Sequence, residues 1–342
     1  MEVRERRKGP TLKEKLTEHY HNRNFKPDKR RANTLGRNFF WGMTITLFFE
    51  SQFVLIPHLY GDNLFVMVGV IALVWFTLFE STINWMGTYF AENSLVTASD
   101  KAKYFPDTTE TPPGWKNCSI CQVDAPPRSH HCVLCNKCVL KRDHHCFFTG
   151  TCVGFYNQRF FVMFCFYMIW GNAFALFLQL SYLNESIPVF SSEAVTFIPL
   201  VAVYRFLVGQ ITFGSFFLII HACFCVICLI AAIFFSAWQI LIISQGLTSF
   251  EAWKQIRSYQ GTYSENFKSV FGSLCYFPLQ FLFPFKVDQN GNGYIWEERN
   301  QRVFCQCFGL HITLTASEWK WICMRSEERT SQRKLRMHTA DE

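Results

Sequence analysis

The chain has 342 residues and a formal charge of +7, is 50% hydrophobic, and carries 38 Phe. That Phe load, with long stretches almost free of charge, excludes an ordinary soluble domain. Residues 1–38 hold twelve Lys or Arg against five Asp or Glu, a net charge equal to that of the whole chain. This basic arm reads as a solvated determinant of membrane topology that could touch anionic lipid. No nucleic-acid partner is expected.

Four apolar stretches follow, Phe39–Tyr60, Leu64–Trp85, Phe160–Tyr182 and Thr212–Ser244. Each is long enough for a helix to cross a bilayer, which takes roughly 20 residues. None resembles a cleaved signal peptide, because a long polar segment precedes the first. The short loop Gly61–Asn63 has no Lys or Arg, so the positive-inside rule places the N-terminus in the cytosol. By parity, the segment between the second and third spans and the C-terminal region are cytosolic too. Asn184-Glu185-Ser186 is a glycosylation sequon in the loop after the third span, on the luminal side. Ala194–Gln210 is apolar but interrupted by Pro199 and Arg205, and reads as a re-entrant or interfacial piece rather than a fifth crossing. Gln245-Gly246 is a helix stop, and Phe267–Phe285 is apolar enough to lie against the membrane surface or the core. No internal repeat is apparent.

The expected organisation is a basic arm (1–38), two spans (39–86), a cytosolic segment (87–159, core 115–159), two further spans (160–244) and a cytosolic tail (245–342). The fold class is mainly α, a polytopic membrane protein with a small irregular cysteine-rich domain between its second and third helices.

That domain is the most informative part of the chain. It reads Cys118-x2-Cys121, His130-His131-Cys132-x2-Cys135-x2-Cys138, Asp143-His144-His145-Cys146 and Cys152. Cysteines two residues apart with a histidine nearby have the spacing zinc prefers. The segment lacks a strand or helix pattern, so zinc is its economical organiser. A cytosolic setting disfavours disulfides, and the later pairs are spaced unlike those of a RING domain. Two closed zinc sites use about eight ligands, whereas seven cysteines and four histidines are present. A leftover thiol beside a base is a nucleophile's environment.

The run from Cys118 through Pro126-Pro127-Arg128-Ser129 and Asp143-His144-His145-Cys146 to Asn157 and Phe161 resembles the cysteine-rich domain of the DHHC protein S-acyltransferases. Thr248-Ser249-Phe250-Glu251 is similar to that family's Thr-Thr-x-Glu motif, and Asn266–Gly272 to its C-terminal Asn-containing motif. The resemblance implies one zinc on Cys118, Cys121, His131 and Cys138, and a second on Cys132, Cys135, His145 and Cys152. It implies Cys146 as the acyl-accepting nucleophile, His144 as its base and Asp143 as the carboxylate orienting that base. His130 is left as a packing or hydrogen-bonding residue. The implied reaction moves a long-chain acyl group, typically palmitoyl, from acyl-coenzyme A to cytosolic cysteines of membrane-associated proteins. The implied location is the endoplasmic reticulum or Golgi, with the plasma membrane as the alternative. Phe147-Phe148-Thr149-Gly150-Thr151 replaces the family's usual Pro-Trp-x-Asn-Asn, and Ala125 stands where a Lys or Arg commonly precedes Pro-Pro. These departures keep open a zinc-bearing membrane adaptor without turnover. Adjacent residues on an extended chain point opposite ways, so a turn imposed by His145 ligation is expected to bring His144 to Cys146.

Among the remaining residues, Glu50, Glu80, Asn84, Asn172, Gln179 and His221 fall within spans and suggest interhelical hydrogen bonding. Thr248 and Glu251 suggest a capping box. Asp288–Gly293 resembles the start of a calcium loop, but its twelfth position would be Arg299, so a glycine-rich turn is expected. Cys165, Cys223, Cys225 and Cys228 lie within spans as buried thiols. Cys275, Cys305, Cys307 and Cys323 fall in the tail, where Cys305 and Cys307 are free thiols, acylation sites or part of a third metal site.

Overall fold

The computed structural model describes residues 26–91, 95–283, 288–289, 291–296, 303–305 and 312–314. Four helices in these segments are long and apolar enough to cross a membrane: Arg31–Tyr60, Leu64–Tyr89, Gln158–Leu183 and Phe213–Ser244. The protein is therefore a membrane protein, and the expected spans are reproduced, the first three with somewhat longer ends. The basic arm through residue 25 and the positions of Arg299, Cys307 and Cys323 lie outside the described residues.

The first span is three pieces in line: α1 (Lys26–Glu50), a π-helical turn (Ser51–Leu55) and α2 (Ile56–Tyr60). Pro57 lacks an N–H and its ring would crowd the carbonyl four residues earlier, so the wider turn before it absorbs the mismatch. The second span, α3 (Leu64–Tyr89), starts where Asn63 caps it by accepting from the Val66 N–H at 3.2 Å. The third and fourth spans, α5 (Gln158–Leu183) and α7 (Phe213–Ser244), pack along each other. Many of the spans' large apolar side chains face outward, Phe53, Phe65, Phe79, Ile227 and Phe234 among them, as lipid-facing surfaces require.

Polar residues inside the spans divide into two kinds. Glu50 joins three helices, accepting from Gln179 Nε2 on the third span and pairing with His221 Nδ1 on the fourth. His221 also meets Thr46 Oγ1 at 3.2 Å. The expectation of interhelical bonding fails for Glu80, which receives a 3.1 Å bond from Asn84 of its own helix. The spacing of four residues puts these two on one helical face, where Asn84 partners one of the two Glu80 oxygens. Asn172 likewise bonds back to the Met168 carbonyl, at 2.7 Å.

Between the third and fourth spans, a 3₁₀ turn (Ser192–Phe197) leads into α6 (Pro199–Leu207). Nine residues are too few to cross a bilayer. Pro199 does not interrupt this helix but starts it, at a position where the missing N–H costs nothing. Arg205 pairs with Glu193.

The cysteine-rich segment, which follows a short helix α4 (Ala98–Tyr104), is less irregular than expected. It forms three antiparallel hairpins: β1 (Lys116–Cys118) with β2 (Val123–Ala125), β3 (His130–Cys132) with β4 (Lys137–Val139), and β5 (His144–Cys146) with β6 (Thr151–Val153). Each turn closes on a residue with positive φ, namely Gln122, Asn136 and Gly150. At each, the backbone N–H of that residue bonds the carbonyl of a cysteine four positions earlier, at 2.7–2.8 Å.

The hairpins sit on the ends of all four spans. Gly36 of the first span lies so close to the Phe147 carbonyl that a Cβ there would fall 2.5 Å away. Trp85 of the second span donates to the Phe148 carbonyl at 3.1 Å. Asn157, at the head of the third, donates to the carbonyls of Thr88 and Cys152, both at 2.9 Å.

After the fourth span, Gly246 adopts φ +67° and ends the helix. Helices α8 (Ser249–Lys254) and α9 (Tyr263–Phe271) follow, and Asn266 fastens the second by donating to the Ser244 carbonyl at 2.9 Å. The apolar stretch expected over Phe267–Phe285 divides its faces. Val270 and Phe271 pack on Val162, Met163 and Ile243 of the spans, while Leu274, Tyr276, Leu279, Leu282 and Phe283 are exposed. Gly291 and Gly293 also have positive φ, and Asn292 Oδ1 accepts from the N–H groups of Tyr294 and Ile295. This is the glycine-rich turn expected there.

Candidate active site and metal centre

The hairpins reveal a repeat of 14 residues that is hard to see in the sequence. Cys118, Cys132 and Cys146 end the first strand of successive hairpins, and Cys121, Cys135 and Thr149 stand three residues later. His131 and His145 each precede the strand-ending cysteine, and Cys138 and Cys152 occupy matching places in the return strands. Each hairpin's Cys-x2-Cys pair meets the His and Cys of the next. The result is two groups, Cys118, Cys121, His131 and Cys138, and Cys132, Cys135, His145 and Cys152, whose ligand atoms lie within 4.8 Å of one another.

These groups fit zinc. Zn–S bonds of about 2.3 Å and Zn–N bonds of about 2.0 Å place tetrahedral ligands about 3.5–3.8 Å apart. Cys121 and Cys118 Sγ lie 3.2 and 3.8 Å from His131 Nδ1. Cys135, Cys132 and Cys152 Sγ lie 3.3, 3.6 and 3.7 Å from His145 Nδ1. His145 Nε2 meets Asn33 Oδ1 of the first span at 2.9 Å, which leaves Nδ1 for the metal. Three thiols and an imidazole form a closed structural set with no open position.

The repeat also explains the leftover thiol. Cys146 stands where Cys118 and Cys132 ligate, but its partner position holds Thr149, and among the described residues no further His and Cys complete a third group around it. It joins an apolar cluster with Phe40 of the first span, Trp85 of the second, and Phe161, Phe164 and Cys165 of the third.

The strand, not a turn, brings the base to this thiol. His144 and Cys146 are two apart on β5 and point to one face, while His145 between them points to the other, toward its ligand group. The turn expected from His145 ligation is unnecessary. The His144 imidazole and the Cys146 sulfur act on each other electrostatically. His144 Nδ1 meets Asp143 Oδ2 at 2.6 Å. Burial disfavours a charged His144 imidazole, but the Asp143 carboxylate and the Cys146 sulfur outweigh it and push its pKa up to about 9. Burial likewise opposes a Cys146 thiolate, yet the influence of His144 overcomes it and lowers the thiol's pKa. Together these favour a thiolate–imidazolium pair.

Asp143 is 2% exposed and densely held. It accepts from Gln239 Nε2 of the fourth span at 2.7 Å and from both the backbone N–H and the hydroxyl of Ser249. Gln158 of the third span donates to Gln239 Oε1 at 3.0 Å. Burial works against this carboxylate, but the His144, Ser249 and Gln239 contacts prevail and keep its pKa below the ordinary value.

Thr248 and Glu251 form the expected capping box on α8. Glu251 does more than cap: Arg128 Nε and Nη2 grip its two carboxylate oxygens at 2.6 Å each, and Nη2 also donates to the Gly246 carbonyl at 2.8 Å. The Arg128 guanidinium lies 4.5 Å from the Trp296 ring centre and 5.3 Å from that of Tyr259. His130, the spare histidine, packs on Phe250 with ring centres 3.9 Å apart, and burial pushes its pKa down to about 4.

Gln158, Gln239 and the Arg128–Glu251 pair are not found by sequence reasoning. Gln239 left a signal, as a polar residue in the most apolar span. Lys141 was also missed: it is buried with positive φ, and burial, then Arg128, lowers its pKa to about 7.

Residues 112–256 match the model of the DHHC palmitoyltransferase family. The chain carries a DHHC domain. The matched stretch spans all three hairpins, the third and fourth transmembrane helices and α8, so it includes every member of both ligand groups and the Asp143–His144–Cys146 line. No curated protein matches the chain.

Proposed function

We propose that this protein is an S-acyltransferase that moves a long-chain acyl group, palmitoyl in the first instance, from acyl-coenzyme A to cysteine thiols of membrane-associated proteins. One observation carries the reading. Of the seven cysteines in the hairpin module, Cys146 stands outside both ligand groups, and it shares a strand face with an imidazole bonded to a buried carboxylate. Catalytic roles are assigned to Cys146 as nucleophile, His144 as proton carrier and Asp143 as the group that orients His144.

In the first step the Cys146 sulfur attacks the thioester carbonyl. A bond forms from sulfur to acyl carbon, the bond from that carbon to the coenzyme A sulfur breaks, and the departing thiolate takes a proton from His144. In the second step an acceptor cysteine gives its proton to His144 and attacks the acyl-enzyme, and Cys146 leaves as a thiolate. One thioester replaces another, so positioning matters more than driving force. Two zinc ions, on the ligand groups described above, supply structural order when bound.

A cavity among the first three spans borders the nucleophile's cluster through Met168 and would receive the acyl chain, each buried CH₂ contributing about 0.8 kcal/mol. In this reading the hairpin module, N-terminus and tail are cytosolic, the Asn184 sequon is luminal, and the membrane is that of the endoplasmic reticulum or Golgi.

The test uses full-length purified protein and acyl-coenzyme A labelled in its acyl group, comparing the native chain with Cys146→Ser. Label that is released by hydroxylamine in the first and missing from the second supports the transferase. Equal label in both, or none in either, removes the catalytic assignment and leaves the zinc-bearing adaptor.

A further inference from the structure

The cavity among the first, second and third spans has a volume of about 90 Å³. A single water needs about 10–15 Å³ of such space, so the cavity has room for several waters or a stretch of alkyl chain. Apolar residues such as Phe48, Val74 and Met168 line it, and so do Ser51, Ser81 and Asn172.

Other polar atoms between the spans also lack partners, Glu80 Oε1 and Gln179 Oε1 among them, but these three line the cavity. Glu50 is matched to His221 and Gln179, and Gln158 to Gln239. Asn172 is 4% exposed and makes one side-chain bond, from its amide nitrogen to the Met168 carbonyl of its own helix. Its amide oxygen and the hydroxyls of Ser51 and Ser81 have no hydrogen-bond partner among the described residues. Orphaned polar groups are costly in a medium without water, and a purely alkyl ligand would leave all three unpaired.

Their depth says where on a chain a partner would sit. Cys165 belongs to the cluster around Cys146. Asn172 lies two turns further along the same helix, about 10 Å deeper, which corresponds to the middle of a long acyl chain tethered at Cys146. We propose that this cavity selects acyl chains bearing a mid-chain hydroxyl, with Asn172 as the specificity-determining residue and Ser51 and Ser81 beside it. The proposal rests on the acyltransferase reading, because the chain must be anchored at Cys146. A site built to hydrogen-bond a substrate hydroxyl disfavours the analogue that lacks it.

The test measures thioester formation on Cys146 in full-length protein in lipid nanodiscs. Palmitoyl-coenzyme A competes with a hydroxypalmitoyl-coenzyme A whose hydroxyl is near the middle of the chain. The hydroxylated chain is expected to be favoured about two- to tenfold, the range that one net hydrogen bond provides. Asn172→Leu, of similar size, should bring the ratio close to one, and Ser51→Ala and Ser81→Ala should each reduce it if Asn172→Leu does not fold. Equal rates in the native protein, or faster palmitoyl transfer, would mean that water satisfies these groups and would overturn the proposal. A preference that persists in all three variants would overturn its assignment to this cavity. Acylation of Cys146 by palmitoyl alone overturns the proposal while leaving the transferase intact, whereas no thioester from either chain overturns both.

Discussion

Removing Glu251 should be among the most damaging single changes outside the metal ligands. The Glu251 and Arg128 side chains are 2% and 3% exposed. In Glu251→Ala the guanidinium loses its carboxylate partner at both Nε and Nη2 and keeps the Gly246 carbonyl and the Trp296 and Tyr259 rings. Breaking a buried ion pair from one side costs about 3–5 kcal/mol, because the surviving charge stays buried. Glu251 also accepts from the Thr248 N–H at 2.9 Å, and losing that cap adds about 0.5–2 kcal/mol. Arg128→Met strands the carboxylate but leaves the cap, so it should cost less than Glu251→Ala by about 1 kcal/mol. The double variant Arg128→Met/Glu251→Leu removes both charges and should recover most of the loss. Denaturant unfolding in mixed micelles, read by Trp fluorescence, measures all three variants. Because α8 also carries Ser249 onto Asp143, acylation should fall with stability in Glu251→Ala. A Glu251→Ala protein within about 0.5 kcal/mol of native, well below the expected loss, would refute this reasoning. So would a double variant no more stable than Glu251→Ala.

Other outcomes follow from the same contacts. The thiolate of Cys146 should be present above its lowered pKa and lost as pH falls through that value. The acid limb of thioester formation should then lie below the ordinary thiol value of about 8.5, and His144→Ala should move it up toward that value; a limb that does not move contradicts the pair. Gln239→Leu removes one bond to Asp143 and should slow acylation about tenfold with zinc content unchanged, by the energy of a bond to a charged acceptor; an unaltered rate removes Gln239 from the positioning network. Metal analysis should find close to two zinc ions per chain, matching the two ligand groups. Cys135→Ala or strong chelation should unfold the hairpins, with loss of their proteolytic resistance as the readout.

How much of this was legible in the sequence depends on the kind of signal. The spans were legible because a helix in lipid needs a long unbroken apolar run, and Leu64–Tyr89 or Phe213–Ser244 can hardly be anything else. The ligand groups were legible through spacing and resemblance together. The hairpins were not, because strands of three residues, such as His144–Cys146, are too short to show alternation. The 14-residue repeat was hidden because the first hairpin shares only Cys118 and Cys121 with the second, and the third copy replaces a ligand with Thr149. The buried contacts on Asp143 come from residues 96 and 106 positions away, and no local pattern announces such a meeting. The Thr248–Glu251 cap is local and was readable, whereas Arg128, 123 residues from Glu251, was not. Glu80 misled for the opposite reason: its partner was one helical turn away, on the same helix.

The account centres on Cys146 being the thiol that the metal groups leave free. The most direct measurement maps, by peptide mass spectrometry, where a thioester forms when the zinc-loaded protein meets acyl-coenzyme A. The acyl group should be found on Cys146 and on none of the other six cysteines between Cys118 and Cys152, with both zinc ions retained. A thioester on one of those six, or acylation that expels zinc, would contradict it.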